Sequence, residues 1–129
     1  MKSSSLRIIK VLEVIVMCSQ QTLTQIMQQL VSAANGLFGD SIQDVILFGS
    51  YARHEENDDS DIDVMLLIDL PREQLPNYRR QVAQIAAELL YEYGVVVSPL
   101  LESESFFERN CVDYPLFKNI VKEGIHFAA

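Results

Sequence analysis

Apolar residues recur at helical spacing between positions 22 and 38, where Leu23, Ile26, Met27, Leu30, Val31, Ala34 and Leu37 share one face. Thr22 or Thr24 is placed to cap the start of this helix, and Gly36 and Gly39 to break its end. The pattern then shortens. Residues 45–48 have strand composition and stop at Gly49-Ser50. A polar stretch separates them from a second strand at 62–68, whose centre is apolar at every position, as in the interior of a sheet. Asp69-Leu70-Pro71 ends it. Tyr78, Val82, Ile85, Ala86, Leu89, Leu90 and Tyr93 then form one face of a long helix that Gly94 closes. Residues 95–97 start a third strand, and Pro99 marks a sheet edge or an exit from the sheet. Residues 103–109 and 114–123 read as two short helices, with Gly124 ending the second and residues 125–127 forming a last small strand.

The first 21 residues stand apart from this pattern. Lys2, Arg7 and Lys10 precede Val11, Leu12, Val14, Ile15, Val16 and Met17, which resembles the start of a secretory signal. Glu13 interrupts the run, no pair of small residues marks a cleavage site, and the run is too short to span a bilayer. Residues 1–21 are therefore expected to be an extra helix or strand packed onto the domain, and a place for contact with a second copy in a homodimer. With 129 residues, 49% apolar and 22% charged, and no repeats or linkers, residues 1–129 read as one α/β domain. That composition excludes a disordered chain and a disulfide scaffold.

Charge narrows the function. The formal net charge is −8, and 17 of the 18 acids lie from Asp40 onward against seven basic groups. Such a surface repels phosphate backbones, so general nucleic-acid binding is not expected, and an anionic substrate would need metal ions to bring it in. Cys18 and Cys111 have no metal-ligand spacing around them and read as reduced thiols of a cytoplasmic protein.

The chemistry concentrates in Leu47-Phe48-Gly49-Ser50-Tyr51-Ala52-Arg53 and, after six polar residues, Ser60-Asp61-Ile62-Asp63-Val64. Asp61 and Asp63 lie two apart at the head of a strand, so both carboxylates project from one face. Two carboxylates that close repel each other, and a divalent cation between them resolves the conflict. Mg²⁺ suits the pair, because it usually takes only one or two carboxylates together with substrate phosphates. Gly49 lets a phosphate approach the backbone, and the Ser50 hydroxyl can hydrogen-bond it. Together these elements describe binding of a nucleoside triphosphate.

The same residues resemble the signature of the polymerase-β-type nucleotidyltransferase superfamily, Gly-Ser, a spacer, then Asp-x-Asp. Ten residues separate Ser50 from Asp61, and the form GSYAR…DSDIDV is similar to that of the minimal nucleotidyltransferases. The likeness runs from about residue 22 to the closing segment that ends at Gly124. It implies a small mixed sheet of three to four strands with helices mainly on one face. It also implies transfer of a nucleoside monophosphate from a triphosphate, ATP in the first instance, to a hydroxyl group. Gly49, Ser50 and Arg53 would hold the nucleotide, and Asp61 and Asp63 would be the catalytic, Mg²⁺-binding pair. The partner implied is a small helical protein of HEPN type, in a toxin–antitoxin pair.

Two positions depart from the family pattern. A third carboxylate commonly faces the first two from the next strand, and there it ligates a metal and helps activate the attacking hydroxyl. That position falls at Ser98, with Glu102 and Glu104 as candidates to reach the site instead. His54 replaces the small Gly that often follows the Arg. Two functions of different class follow: an active nucleotidyltransferase, or an impaired member kept as a nucleotide- or partner-binding module. Of the other polar residues, Glu55 to Asp59 read as a solvated loop, and Arg53 could bind phosphate or hold that loop. Ser60 reads as a turn or site residue. His54, His126 and the tyrosines Tyr78, Tyr91, Tyr93 and Tyr114 read as surface or packing groups.

Overall fold

The computed structural model describes the backbone of residues 2–57 and 59–128, and the side chains of residues 20–57 and 59–127. Its centre is a four-stranded mixed sheet in the order β3-β2-β1-β4. The strands are β1 (Ile42–Phe48), β2 (Ile62–Ile68), β3 (Val97–Ser103) and β4 (Ile125–Ala128). β1 runs antiparallel to both β2 and β4, and β2 is parallel to β3. Among the described residues there are five α-helices: α1 (Lys2–Phe38), α2 (Gly49–Ala52), α3 (Arg79–Tyr93), α4 (Glu104–Asn110) and α5 (Pro115–Glu123).

Alternation along the strands divides the interior in two. Val45 and Leu47 of β1 and Ile62, Val64, Leu66 and Ile68 of β2 meet Ile26, Met27, Leu30 and Ala34 of α1 and Val82 and Leu89 of α3. Ile46, Met65 and Leu67 point the other way, onto Phe117 and Ile120 of α5, with Phe106 and Phe107 of α4 alongside. The long helices thus share one face, and two short ones cover part of the other. The centre of β2 is apolar throughout because both of its faces are covered.

Three local readings of the sequence are corrected. Residues 2–38 form one helix of roughly 55 Å at 1.5 Å per residue, so the extension and the 22–38 helix are continuous. Neither Thr22 nor Thr24 caps a start; the Thr24 hydroxyl donates to the carbonyl of Gln20 one turn back, at 3.0 Å. Gly36 lies inside the helix, and the chain turns only at Gly39, whose φ of +56° is the left-handed conformation that glycine tolerates. Side chains 2–19, including the apolar run and Cys18, lie outside the described residues.

Pro99 sits within β3 rather than at its end. The N–H of Ile62 donates to the carbonyl of Val96 at 2.9 Å, which turns the backbone of even-numbered positions toward β2 and that of odd-numbered ones outward. Pro99 is therefore on the open side of an edge strand, where its missing N–H breaks no ladder bond.

Candidate active site

The antiparallel register pairs Phe48 with Asp63, so the end of β1 lies beside the head of β2. The next residue, Gly49, has φ +74°, and any Cβ there would collide with the Asp63 carboxylate. Glycine is required twice at this point, by conformation and by contact. Ser50 follows in α2, a single turn that packs against both strands. Gly49 thus adjoins Asp63, and Ser50 is the next residue along the chain.

Asp63 is half-buried and Asp61 exposed. Burial pushes the carboxyl of Asp63 above its ordinary pKa, the charge of Asp61 pushes it further, and Arg53 opposes both. The pair therefore holds more negative charge than its surroundings balance. That is the condition in which a divalent cation would be taken up. Among the described residues no group of three His, Cys, Asp or Glu side chains is placed to hold a metal ion. A pair of carboxylates that leaves the remaining positions to water and phosphate oxygens fits Mg²⁺.

Ser98 stands where the third acid is expected. It pairs with Asp63 in the β2–β3 register, and its hydroxyl donates to Oδ2 of Asp61 at 3.3 Å. Neither proposed substitute reaches it. Glu102 lies four residues farther along β3, roughly 13 Å at strand rise, buried and bonded to Arg72. Glu104 begins α4 beside Glu108 and Asp69, beyond the far end of β2; burial first, then those two acids, raises its pKa.

Arg53 is tied to two carboxylates while 42% of its side chain stays exposed. Its Nε donates to Glu55 at 3.0 Å, and its Nη1 donates to both oxygens of Glu123, at 3.1 and 3.2 Å. It holds the acidic loop and also α5, a contact across 70 residues that no local pattern announces. Ser60 is a turn residue: its Oγ accepts from the N–H of Asn57 at 2.9 Å, and its own N–H donates to the Asn57 carbonyl. His54 adopts φ 57°, the left-handed conformation, which explains why glycine suits that position. His126 pairs with Asp44 across β1 and β4. Tyr78 packs on Phe38, Tyr114 stacks on Phe117, and the Tyr93 hydroxyl accepts from Gln29 on α1 at 2.6 Å. The Cys111 thiol is free and donates to the carbonyl of Glu108.

Sheet order, strand directions and the paired carboxylates beside a Gly-Ser turn define a nucleotidyltransferase core. The chain belongs to the nucleotidyltransferase domain family, whose model matches residues 25–125. It is 31% identical over 97 residues to MJ0604 of Methanocaldococcus jannaschii, named a candidate protein adenylyltransferase; the match covers 75% of this chain and 89% of the relative. A second protein of that organism with the same kind of name, MJ1305, is 31% identical over 83 residues, which is 64% of this chain and 56% of the relative. Among solved structures, a toxin–antitoxin crystallised with AMP-PNP superposes with a TM-score of 0.52 at 16% identity, covering 80% of this chain and 73% of its own, and shows the shared fold. Among the described residues, no helix is long and apolar enough to cross a membrane.

Proposed function

We propose that this chain transfers a nucleoside monophosphate, AMP in the first instance, from a nucleoside triphosphate to a hydroxyl group on a protein. The observation that carries the reading is the Phe48–Asp63 register, which lays the Gly49-Ser50 turn against the carboxylate of Asp63. Family membership supports the class of reaction, and the names of the Methanocaldococcus relatives support a protein acceptor. In this reading Gly49 and Ser50 bind the triphosphate, while Asp61 and Asp63 hold Mg²⁺. Mg²⁺ bound there would offset the charge of the phosphates and of the two aspartates. The acceptor oxygen bonds to the α-phosphorus as the bond from that phosphorus to pyrophosphate breaks.

The acceptor belongs on the open side of β3. A groove of about 940 Å³ lies there, lined by Ser98, Pro99 and Leu101 on one side and Leu75, Arg79 and Val82 on the other. A helical HEPN-type protein paired with this chain as toxin to antitoxin is the partner we favour, and the fold shared with a toxin–antitoxin structure supports it. We read residues 1–129 as one cytoplasmic domain, with residues 1–21 extending α1 toward a second copy. Its formal charge of −8 favours a protein acceptor over nucleic acid.

Ser98 favours a second reading. Without a third carboxylate, a binding module that has lost transfer would retain the same turn and the same aspartates. One assay separates the two. The protein is incubated with Mg²⁺ and ATP labelled at the α-phosphorus, together with whatever protein co-purifies with it. Label should enter the co-purified protein with wild type and not with Asp63→Asn. Label that persists in Asp63→Asn would exclude the proposed site. Mg²⁺-dependent ATP binding without transfer would select the binding module.

A further inference from the structure

Glu123 is the last residue of α5, where the helix dipole disfavours an acid, yet its carboxylate is largely enclosed, with 19% of the side chain exposed. Its surroundings account for this. Oε1 accepts the N–H of Gly49 at 3.3 Å, and the same carboxylate receives Nη1 of Arg53. The chain turns tightly at Gly124, where a Cβ would meet the Ile120 carbonyl and the Ile46 side chain, and Ile125 then pairs with Leu47. Two residues before that pair, Glu123 is thereby aimed at α2, which starts two residues after Leu47. A helix of one turn has little stability of its own, so this carboxylate fastens it to α5.

The same contacts occupy Arg53 from two sides. Glu55 and Glu123 drive its guanidinium further into the charged form. A triphosphate that reaches the Gly49-Ser50 turn can recruit this cation only by drawing it away from them.

We propose that Glu123 is a positioning residue that latches the phosphate turn: it orders Gly49 while holding Arg53 back, and so lowers the affinity for the nucleoside triphosphate. The inference rests on the nucleotide-binding reading above. In that state the turn is formed before nucleotide arrives, and binding exchanges an arginine–carboxylate pair for an arginine–phosphate pair.

The test is equilibrium binding of Mg·ATP by calorimetry to the full chain, with thermal melts of each variant. Glu123→Gln keeps an acceptor for the Gly49 N–H and removes the charge. It should tighten Mg·ATP roughly two- to fivefold, the range expected from a partly exposed ion pair. Glu55→Gln, in the exposed loop, should tighten it in the same direction by less, and it decides the matter should Glu123→Gln melt early. The gain must vanish on an Arg53→Gln background, which a purely structural role for Glu123 would not require. Unchanged or weaker binding in both Gln variants, with wild type still binding through Asp61 and Asp63, would overturn the latch alone. No Mg·ATP binding by any variant would overturn the latch and the site together.

Discussion

The α4/α5 face of the sheet carries acids at both ends, in opposite circumstances. At one end, Glu102 of β3 is buried and fully matched: Arg72 donates to it through Nε at 3.1 Å and Nη2 at 3.2 Å, and the N–H of Ser103 donates at 2.9 Å. The Arg72 guanidinium in turn lies 3.6 Å from the centroid of the Phe106 ring. At the other end, Asp63 faces a like charge, with Arg53 already divided between two other carboxylates. A matched carboxylate holds structure; an unmatched pair can take up a cation and anionic substrate. Ser98 and Glu102 sit on one strand, four residues apart, so each end can be perturbed without touching the other.

The largest expected effect comes from Ser98→Asp, which would supply the missing third acid next to Asp61. A general base contributes roughly two to four orders of magnitude in rate. Transfer to the co-purified protein should therefore rise at least about a hundredfold, while melting without Mg²⁺ falls because a third like charge joins the pair. Lower melting with no gain in transfer would show that the missing acid at Ser98 is not what limits transfer.

At the opposite end, Arg72→Ala should act on stability alone. Losing one partner strands the buried Glu102 carboxylate, which costs about 3–5 kcal/mol in a fully buried pair. Arg72 is half-exposed, with 53% of its side chain open, and water can enter, so about 2 kcal/mol is expected. Chemical denaturation measures it, and Mg·ATP binding by the folded variant should match wild type. A variant with wild-type stability would show that the two ends do not differ as argued.

Sequence reveals these ends unequally. Gly49-Ser50 and Asp61-x-Asp63 are local motifs, each fixed by a strand terminus, and the β1–β2 register joins them as the spacing implies. Ser98 was legible too, because one helix closed by Gly94 fixes where the next strand starts. The pairs Arg72–Glu102 and Arg53–Glu123 join residues 30 and 70 apart, and no periodicity links such positions. Pro99 left a sheet edge and an exit from the sheet both open; β3 is the edge, it runs on to Ser103, and Glu102 therefore stays in the strand instead of bending back past Pro99. The continuity of α1 was hidden by glycine and threonine, whose usual preference for breaks and caps is overridden once Met27, Leu30 and Ala34 are buried.

The smallest effect is the finest probe of the comparison. Asp63 is held above its ordinary pKa by burial and by Asp61, so the fold favours its protonated form. A carboxyl raised in the folded state contributes stability below its unfolded pKa and loses it as pH climbs through the folded value. At neutral pH the charged Asp63 therefore costs stability, and Asp63→Asn, of the same shape and uncharged, removes that cost. Solvent screens the site, so the gain should be only a few tenths of a kcal/mol, or about 1–3 °C in melting temperature without Mg²⁺. The gap should close as pH falls through the carboxylate range, because wild-type Asp63 then takes up its proton. Adding Mg·ATP at neutral pH should reverse it, since wild type gains a ligand that the variant holds poorly. An Asn variant that melts below wild type at neutral pH would mean that Asp63, like Glu102, is matched in the folded protein.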